Sequence, residues 1–288
     1  MSTIEISTVD LYFTGFCNYK CEYCYGENDI NPHMTKETYL QCLDFAQQIN
    51  ATTIEFCGGE PLLNPLFEEA VRLAKARGFQ LILRTNGIYL GKHLDLIAEN
   101  FEWIGISLDG LVEANARMRP AKNKISKEDQ FHLPIANMKA LKEKNPNIKI
   151  LLATVASAVN YSDIPAFAQY VEEHQLPINK WKIYQFIKDK FRSEIYEDKY
   201  ALPMVLFEEM KNRFPSTLLK KTEVQFQSSN VEGVSGNCLI VLHNGQIQIM
   251  KKIYGQIGVN TNEEIIDNLK NSPVLTYIQK NKNVTYQK

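Results

Sequence analysis

The chain has 288 residues, 32 Lys and Arg against 33 Asp and Glu, and 44 % apolar residues. That length suits one large α/β domain or a domain with a small companion, and the interspersed charge of net −1 argues against nucleic-acid binding. No apolar run reaches the roughly 18 residues needed to span a membrane, and the start MSTIEISTVDLYF lacks the basic head and apolar stretch of a signal peptide, so the cysteines are expected as thiols in a reducing compartment, by default the cytoplasm.

Val9–Gly15 (VDLYFTG) is β-branched and aromatic and predicts a buried strand. It delivers Cys17, Cys21 and Cys24, three cysteines within eight residues. Thiolates this close converge on one metal centre. A structural zinc takes four ligands and no fourth lies nearby, whereas a [4Fe–4S] cluster held by three cysteinates keeps one iron open to a ligand. Thr35 caps a helix with Tyr39, Leu40, Leu43, Phe45 and Ala46 on its apolar face. Strand 53–57 leads into Gly58-Gly59-Glu60-Pro61, then a helix over 66–77 ending at Gly78. Strand 80–84 closes on Thr85-Asn86-Gly87, a helix covers 91–99, and strand 102–108 ends at Asp109-Gly110. The polar stretch 111–125 reads as a loop. Helix 127–144, strand 148–157, helix 162–174 and strand 180–186 follow.

Six strands alternating with helices require a mostly parallel sheet with right-handed crossovers. Ligands of such sheets gather at the C-terminal strand ends. The cysteine loop, the GGEP segment, Asn86, Ser107, Asp109 and Ser157 all fall there. Beyond residue 186 the alternation breaks. A helix is expected around 203–213, strands near 222–227, 238–243 and 246–250 with a hairpin turn at Asn244-Gly245, and short helices near 262–270 and 273–280. The division expected is a core over 1–186 and an extension over 187–288 that closes the open side.

Cys17-x-x-x-Cys21-x-Tyr23-Cys24 followed by Gly58-Gly59-Glu60-Pro61 resembles the radical S-adenosylmethionine (SAM) superfamily, over about residues 8–186. The resemblance implies an α/β fold, a partial (β/α)6 barrel with a small C-terminal α+β extension. It implies a [4Fe–4S] cluster on Cys17, Cys21 and Cys24, with SAM completing the fourth iron through its amino and carboxylate groups. Gly58, Gly59, Glu60 and Pro61 would bind the methionine amino end, Tyr23 would pack near the adenine, and Asn86, Ser107, Asp109 and Ser157 would meet the methionine or ribose. The implied activity is reductive cleavage of SAM and hydrogen abstraction from a substrate C–H bond by the 5′-deoxyadenosyl radical. Electrons would come from a reductant such as flavodoxin or ferredoxin.

Several residues carry a plainer reading beside the functional one. Gly58 to Pro61, Asn86 and Asp109 also suit turns, and Thr154 and Asn160 share the end of strand five with Ser157. Cys42 and Cys57 read as small buried apolar side chains. Cys238 sits in the apolar run CLIVL, where it packs in a core or, facing the barrel mouth, donates hydrogen to a substrate radical. Lys180, Lys182, Lys188, Lys190 and Arg192 read as a solvated strand edge or as partners of an anionic substrate, and one of Tyr184 and Gln185 should face the lumen. His33, His93, His132, His174 and His243 are scattered and read as surface residues.

The stretch around Cys238 has the strand–turn–strand look of the auxiliary-cluster module of relatives but lacks its cysteines. The substrate is read first as a ribosomally made peptide. The strand Trp181-Lys182-Ile183-Tyr184-Gln185, the loop residues Asn18-Tyr19-Lys20, and Ser229-Asn230 with Gly258-Val259 resemble instead the viperin group, which dehydrates nucleoside triphosphates; Arg117–Lys124 and the tail depart from it. A small aminosugar or amino acid, epimerised or dehydrogenated, is a third substrate. A non-catalytic iron–sulfur carrier or a structural zinc protein is the alternative of another class, against which the complete GGEP segment argues.

Overall fold

Strands buried on both faces need apolar side chains outward and whatever the lumen requires inward. In the computed structural model, which describes residues 6–24, 26, 33–122, 124–188, 192–228, 239–249 and 252–272, that division is plain. The elements are β1 (Thr8–Thr14), α1 (Lys36–Gln48), β2 (Thr53–Gly58), α2 (Phe67–Ala76), β3 (Gln80–Thr85), α3 (Leu94–Asn100), β4 (Trp103–Ser107), α4 (Val112–Met118), α5 (Lys127–Lys144), β5 (Lys149–Ala156), α6 (Ile164–Glu173) and β6 (Lys180–Gln185). They continue as α7 (Arg192–Ile195), α8 (Glu197–Tyr200), α9 (Met204–Asn212), α10 (Ser216–Lys221), β7 (Glu223–Gln227), β8 (Leu239–Val241), β9 (Gln246–Ile249), β10 (Lys252–Gln256) and α11 (Asn262–Lys270).

One ten-stranded sheet runs in the order β10-β9-β8-β1-β2-β3-β4-β5-β6-β7. Strands β1 to β7 pair in parallel, β8 joins β1 in parallel, and the β8–β9 and β9–β10 pairs are antiparallel, so that β9 alone runs against the other strands. This is the expected α/β barrel-type fold of six β/α units. The later strands extend the same sheet at both edges, with β7 beside β6 and β8 beside β1.

Leu11, Phe13, Ile54, Phe56, Leu83, Ile104 and Ile106 face outward and merge with the helices into one core. The inner face follows from register. Asp10 aligns with Glu55, Glu55 with Ile82, Ile82 with Trp103, Leu151 with Lys180, and Lys180 with Glu223. Caps set the helix starts: the Thr35 hydroxyl accepts the Thr38 N–H at 3.1 Å and that of Ser126 accepts the Asp129 N–H at 3.0 Å.

The stretch 111–125 is not simply a loop, because α4 occupies its first half. The buried face of α4 includes a polar residue. Asn115 accepts the Asp109 N–H at 3.0 Å and donates to the Gln130 carbonyl at 3.2 Å, so hydrophobic periodicity alone misses this helix. The expected helix near 273–280 lies outside the described residues.

Candidate active site

The cysteine loop leaves β1 and is held by backbone from β2. The Gly59 N–H donates to the Thr14 carbonyl at 2.6 Å and the Glu60 N–H to the Phe16 carbonyl at 2.8 Å. The approach is so close that a β-carbon at Gly59 would stand 2.6 Å from the Phe16 carbonyl carbon and 2.9 Å from the Gly15 oxygen. At Gly58, with φ +117°, it would collide with the Thr14 carbonyl. The paired glycines make room for the protein's own backbone.

Glu60 is fully buried and turned inward. It accepts the Thr85 hydroxyl at 2.7 Å, the Asn86 N–H at 2.8 Å and, more weakly, the Leu62 N–H at 3.4 Å. Burial pushes its carboxyl up to about 7 against these bonds. Both carboxylate oxygens are thus engaged in tying the GGEP segment, where Pro61 opens a short 3₁₀ turn, to the end of β3. Asn86 carries the chain of contacts on, donating from Nδ2 to Asn18 Oδ1 at 2.8 Å.

A second bracket comes from β4. Asp109 is buried and accepts from the Tyr23 hydroxyl, from Arg119 Nε at 2.7 Å and from the Val155 N–H at 2.7 Å. The Arg119 guanidinium lies 5.9 Å from the Tyr23 ring centre. Ser157 and Asn160 complete the corner: Ser157 Oγ donates to Asn160 Oδ1 at 2.9 Å, and Asn160 Nδ2 donates to the Asp109 carbonyl at 2.8 Å. Thr154 is bonded within the core, to the Leu108 carbonyl at 2.6 Å and the Trp181 indole N–H at 2.9 Å. Ser107 is half-buried at the lumen end of β4. Arg119 is a site residue that sequence reasoning did not single out; among the four cations of the stretch 111–125 nothing marks it except its place two residues before the Tyr19–Ala121 bridge that braces the cysteine loop.

Cys17, Cys21 and Cys24 lie within electrostatic reach of one another. Burial pushes Cys17 up to about 11, helped by Glu60, and Cys21 up to about 12, opposed by Arg119. The Tyr19 N–H points at the Cys17 sulfur at 3.4 Å and the Gly26 N–H at the Cys24 sulfur at 3.3 Å. Among the described residues, no three His, Cys, Asp or Glu side chains are placed to hold a single metal ion. Beside Cys17, Asn18 is 2 % exposed and its Nδ2 has no hydrogen-bond partner in the protein. Three neighbouring thiols, of which half-buried Cys17 and Cys24 receive N–H bonds, a nearby guanidinium and an unmet amide donor fit an iron–sulfur cluster with an anionic ligand. Metal binding would displace the thiol protons.

The far side of the loop rests on α8. Glu22 accepts Lys199 Nζ at 2.5 Å and the Tyr200 hydroxyl at 3.0 Å, and the Tyr200 ring meets Tyr23 edge-on at 5.7 Å. Cys238 lies outside the described residues, as do Lys190 and the side chain of Arg192. Cys42 is buried in the core as expected, but Cys57 is half-buried on the lumen face, in register with Tyr12. The solvated-edge reading of β6 is corrected: with β7 beside it, Lys180 is 2 % and Lys182 5 % exposed. Lys180 pairs with Glu223 at 3.0 Å. Tyr184 shares their face, whereas Gln185 donates to the Leu202 carbonyl at 2.6 Å. His243 is buried rather than on the surface. A cleft of about 670 Å³ opens at the opposite, N-terminal ends of the strands, and none of the cysteine-loop residues lines it.

A parallel α/β barrel with three cysteines on the loop after its first strand has the layout of a cofactor-dependent α/β enzyme. The Radical SAM superfamily model matches residues 11–171, and the chain belongs to that superfamily. The family implies a [4Fe–4S] cluster and SAM. A GTP 3′,8-cyclase of Chlorobaculum tepidum is 29 % identical over 63 % of this chain and 54 % of its own. An S-adenosylmethionine-dependent nucleotide dehydratase of Selenomonas ruminantium is 30 % identical over 64 % of this chain and 69 % of its own. The chain spans about half the length, or less, of the first curated relatives it matches. Among solved structures, anSMEcpe with bound AdoMet superposes with TM-score 0.70 at 16 % identity, covering 95 % of this chain and 82 % of that one. Streptococcus suis SuiB bound to precursor peptide SuiA gives 0.71 at 12 %, covering 95 % and 66 %. At these identities the two structures establish the fold. No helix among the described residues is long and apolar enough to cross a membrane.

Proposed function

We propose that the chain is a radical SAM enzyme whose substrate is a nucleoside phosphate bound in the barrel lumen. The observation that carries this is the pair of buried lysines, Lys180 and Lys182, on the inner face of β6 with Tyr184 above them. Lys180 is matched by Glu223 at 3.0 Å, and the phosphates of a bound nucleotide would be charge-complementary to the cationic inner face of β6. The names of the curated relatives, a GTP cyclase and nucleotide dehydratases, support the same substrate class. A peptide, the first expectation from sequence, is supported by the strand–turn–strand stretch of the C-terminal extension and by distant fold neighbours such as SuiB bound to its precursor peptide.

The roles of the protein groups follow from the geometry. Cys17, Cys21 and Cys24 would hold the cluster, and Arg119 offsets the repulsion among their thiolates. Glu60 and Asn86 fix the loop that faces SAM, and Tyr23, held by Asp109 and Tyr200, supplies an aromatic wall. Ile82, Trp103 and Leu151 form a buried apolar floor across the lumen that excludes water from below. When bound, the cluster and SAM supply the electron and the hydrogen-abstracting radical. Lys182 holds the substrate's phosphate so that a C–H bond stays near that radical.

The test is anaerobic turnover with SAM, dithionite and each ribonucleoside triphosphate in turn, followed by 5′-deoxyadenosine release and the mass of the recovered nucleotide. One nucleotide should stimulate release and change mass. Lys182→Met should cost a charge-assisted contact of about 1.5–3 kcal/mol, about ten- to a hundredfold in KM. Stimulation by a peptide and by no nucleotide would overturn the proposal.

A further inference from the structure

Above its apolar floor the lumen carries a second cation, and the residues around that cation hold it in a fixed pose. Arg84 stands two residues beyond Ile82 on the inner face of β3. Its Nε donates to Glu55 Oε1 of β2 at 2.6 Å. Glu55 is buried, and the Arg84 side chain keeps 25 % of its surface open. The guanidinium lies across β4, where position 105 has no side chain. A β-carbon on Gly105 would stand 2.6 Å from Arg84 Cδ and 3.2 Å from Nη1. The planar fork thus turns its Nε edge to β2 and carries Nη1 over β4, on the side of the strand order that leads to β6.

The next inward position in that direction is also small. Ala153 follows Leu151 on β5, packs against the floor of Ile82, Trp103 and Leu151, and is in register with Lys182 of β6. Gly105 and Ala153 therefore leave the ground between Arg84 and Lys182 clear of side chains. Strands β4 and β6 are two intervals apart, roughly 10 Å. Across that width a single phosphate group meets one cation, whereas a chain of two or three phosphates meets both.

We propose that Arg84 is the specificity-determining residue of the lumen: together with Lys182 it grips a polyphosphate chain from two strands, so that the site selects a nucleoside di- or triphosphate over the monophosphate. The choice of ligand rests on the nucleotide reading above. Glu55 positions the guanidinium by taking its Nε edge, and the opposite edge is presented to the phosphate oxygens. Gly105 is required because any larger residue pushes the Arg84 side chain off its path.

The experiment is isothermal titration of the reconstituted, SAM-loaded enzyme, kept oxidised, with inorganic triphosphate and, separately, with orthophosphate. Wild type should bind triphosphate about tenfold or more tighter than orthophosphate. Arg84→Gln should shrink that ratio about tenfold or more, the loss of one charge-assisted contact. Gly105→Ala keeps the charge but displaces it, and should shrink the ratio in the same direction by less, which covers failure of Arg84→Gln to fold. An arginine that merely braced Glu55 would change the Tm and leave the ratio alone. Equal affinity of wild type for the two anions, a wild-type ratio in both variants, or equal losses for both anions would overturn the assignment. A ratio that depends on Arg84 in an enzyme that turns over no nucleotide would leave the grip standing and sink the nucleotide reading instead.

Discussion

Replacing Glu60 by Gln isolates the group that joins the GGEP segment to β3. The carboxyl is fully buried and its affinity for a proton is raised from an ordinary 4.5 to about 7, chiefly by burial. Because the folded value lies above the unfolded one, its favourable contribution is complete below about pH 4.5 and is lost as the pH rises through 7. The gap between 4.5 and about 7, at 1.36 kcal/mol per pH unit, corresponds to about 3 kcal/mol. Most of it, about 2–3 kcal/mol, should disappear between about pH 5 and pH 8. Glu60→Gln keeps the shape and cannot ionise. Urea unfolding of the cluster-free protein should therefore give a wild-type stability that falls by that much more than the variant's over the same interval. Parallel pH profiles for the two proteins would refute the reasoning, since they would mean that Glu60 does not titrate in this window.

Gly59→Ala forces a β-carbon against immovable backbone and should cost about 1–3 kcal/mol or more, read as a lowered Tm together with reduced iron uptake on reconstitution. Arg119→Gln leaves the buried Asp109 carboxylate without its ion pair and should destabilise by about 3–5 kcal/mol in urea unfolding. Adding Asp109→Asn should recover part of that loss, and an additive double variant would contradict the pairing. Lys182→Met should raise the KM for the nucleotide that turns over, with little change in the Tm.

The strands were legible because parallel strands covered on both faces are rich in apolar residues. The strand expected over 80–84 is found at Gln80–Thr85, and that expected over 180–186 at Lys180–Gln185. The cysteine trio and GGEP were legible because their spacing is local. What local spacing cannot show is which way a polar side chain turns. Glu60 and Asn86 turn into the protein and brace the loop, and Ser157 closes a corner with Asn160. Arg119 reaches Asp109 from the end of α4, a helix whose inner face contains Asn115 and so lacks apolar periodicity. Lys180 and Lys182 looked like an edge because the partner that buries them, β7, lies some 40 residues further along the chain.

Iron uptake and SAM response under anaerobic reconstitution, measured side by side for wild type and Cys21→Ala, bear most directly on the three-thiol site. Wild type should take up about four irons, change its electron paramagnetic resonance signal when SAM is added, and release 5′-deoxyadenosine under dithionite; Cys21→Ala should do none of these. A zinc centre in the wild-type protein, or a cluster whose spectrum is indifferent to SAM, would contradict the account.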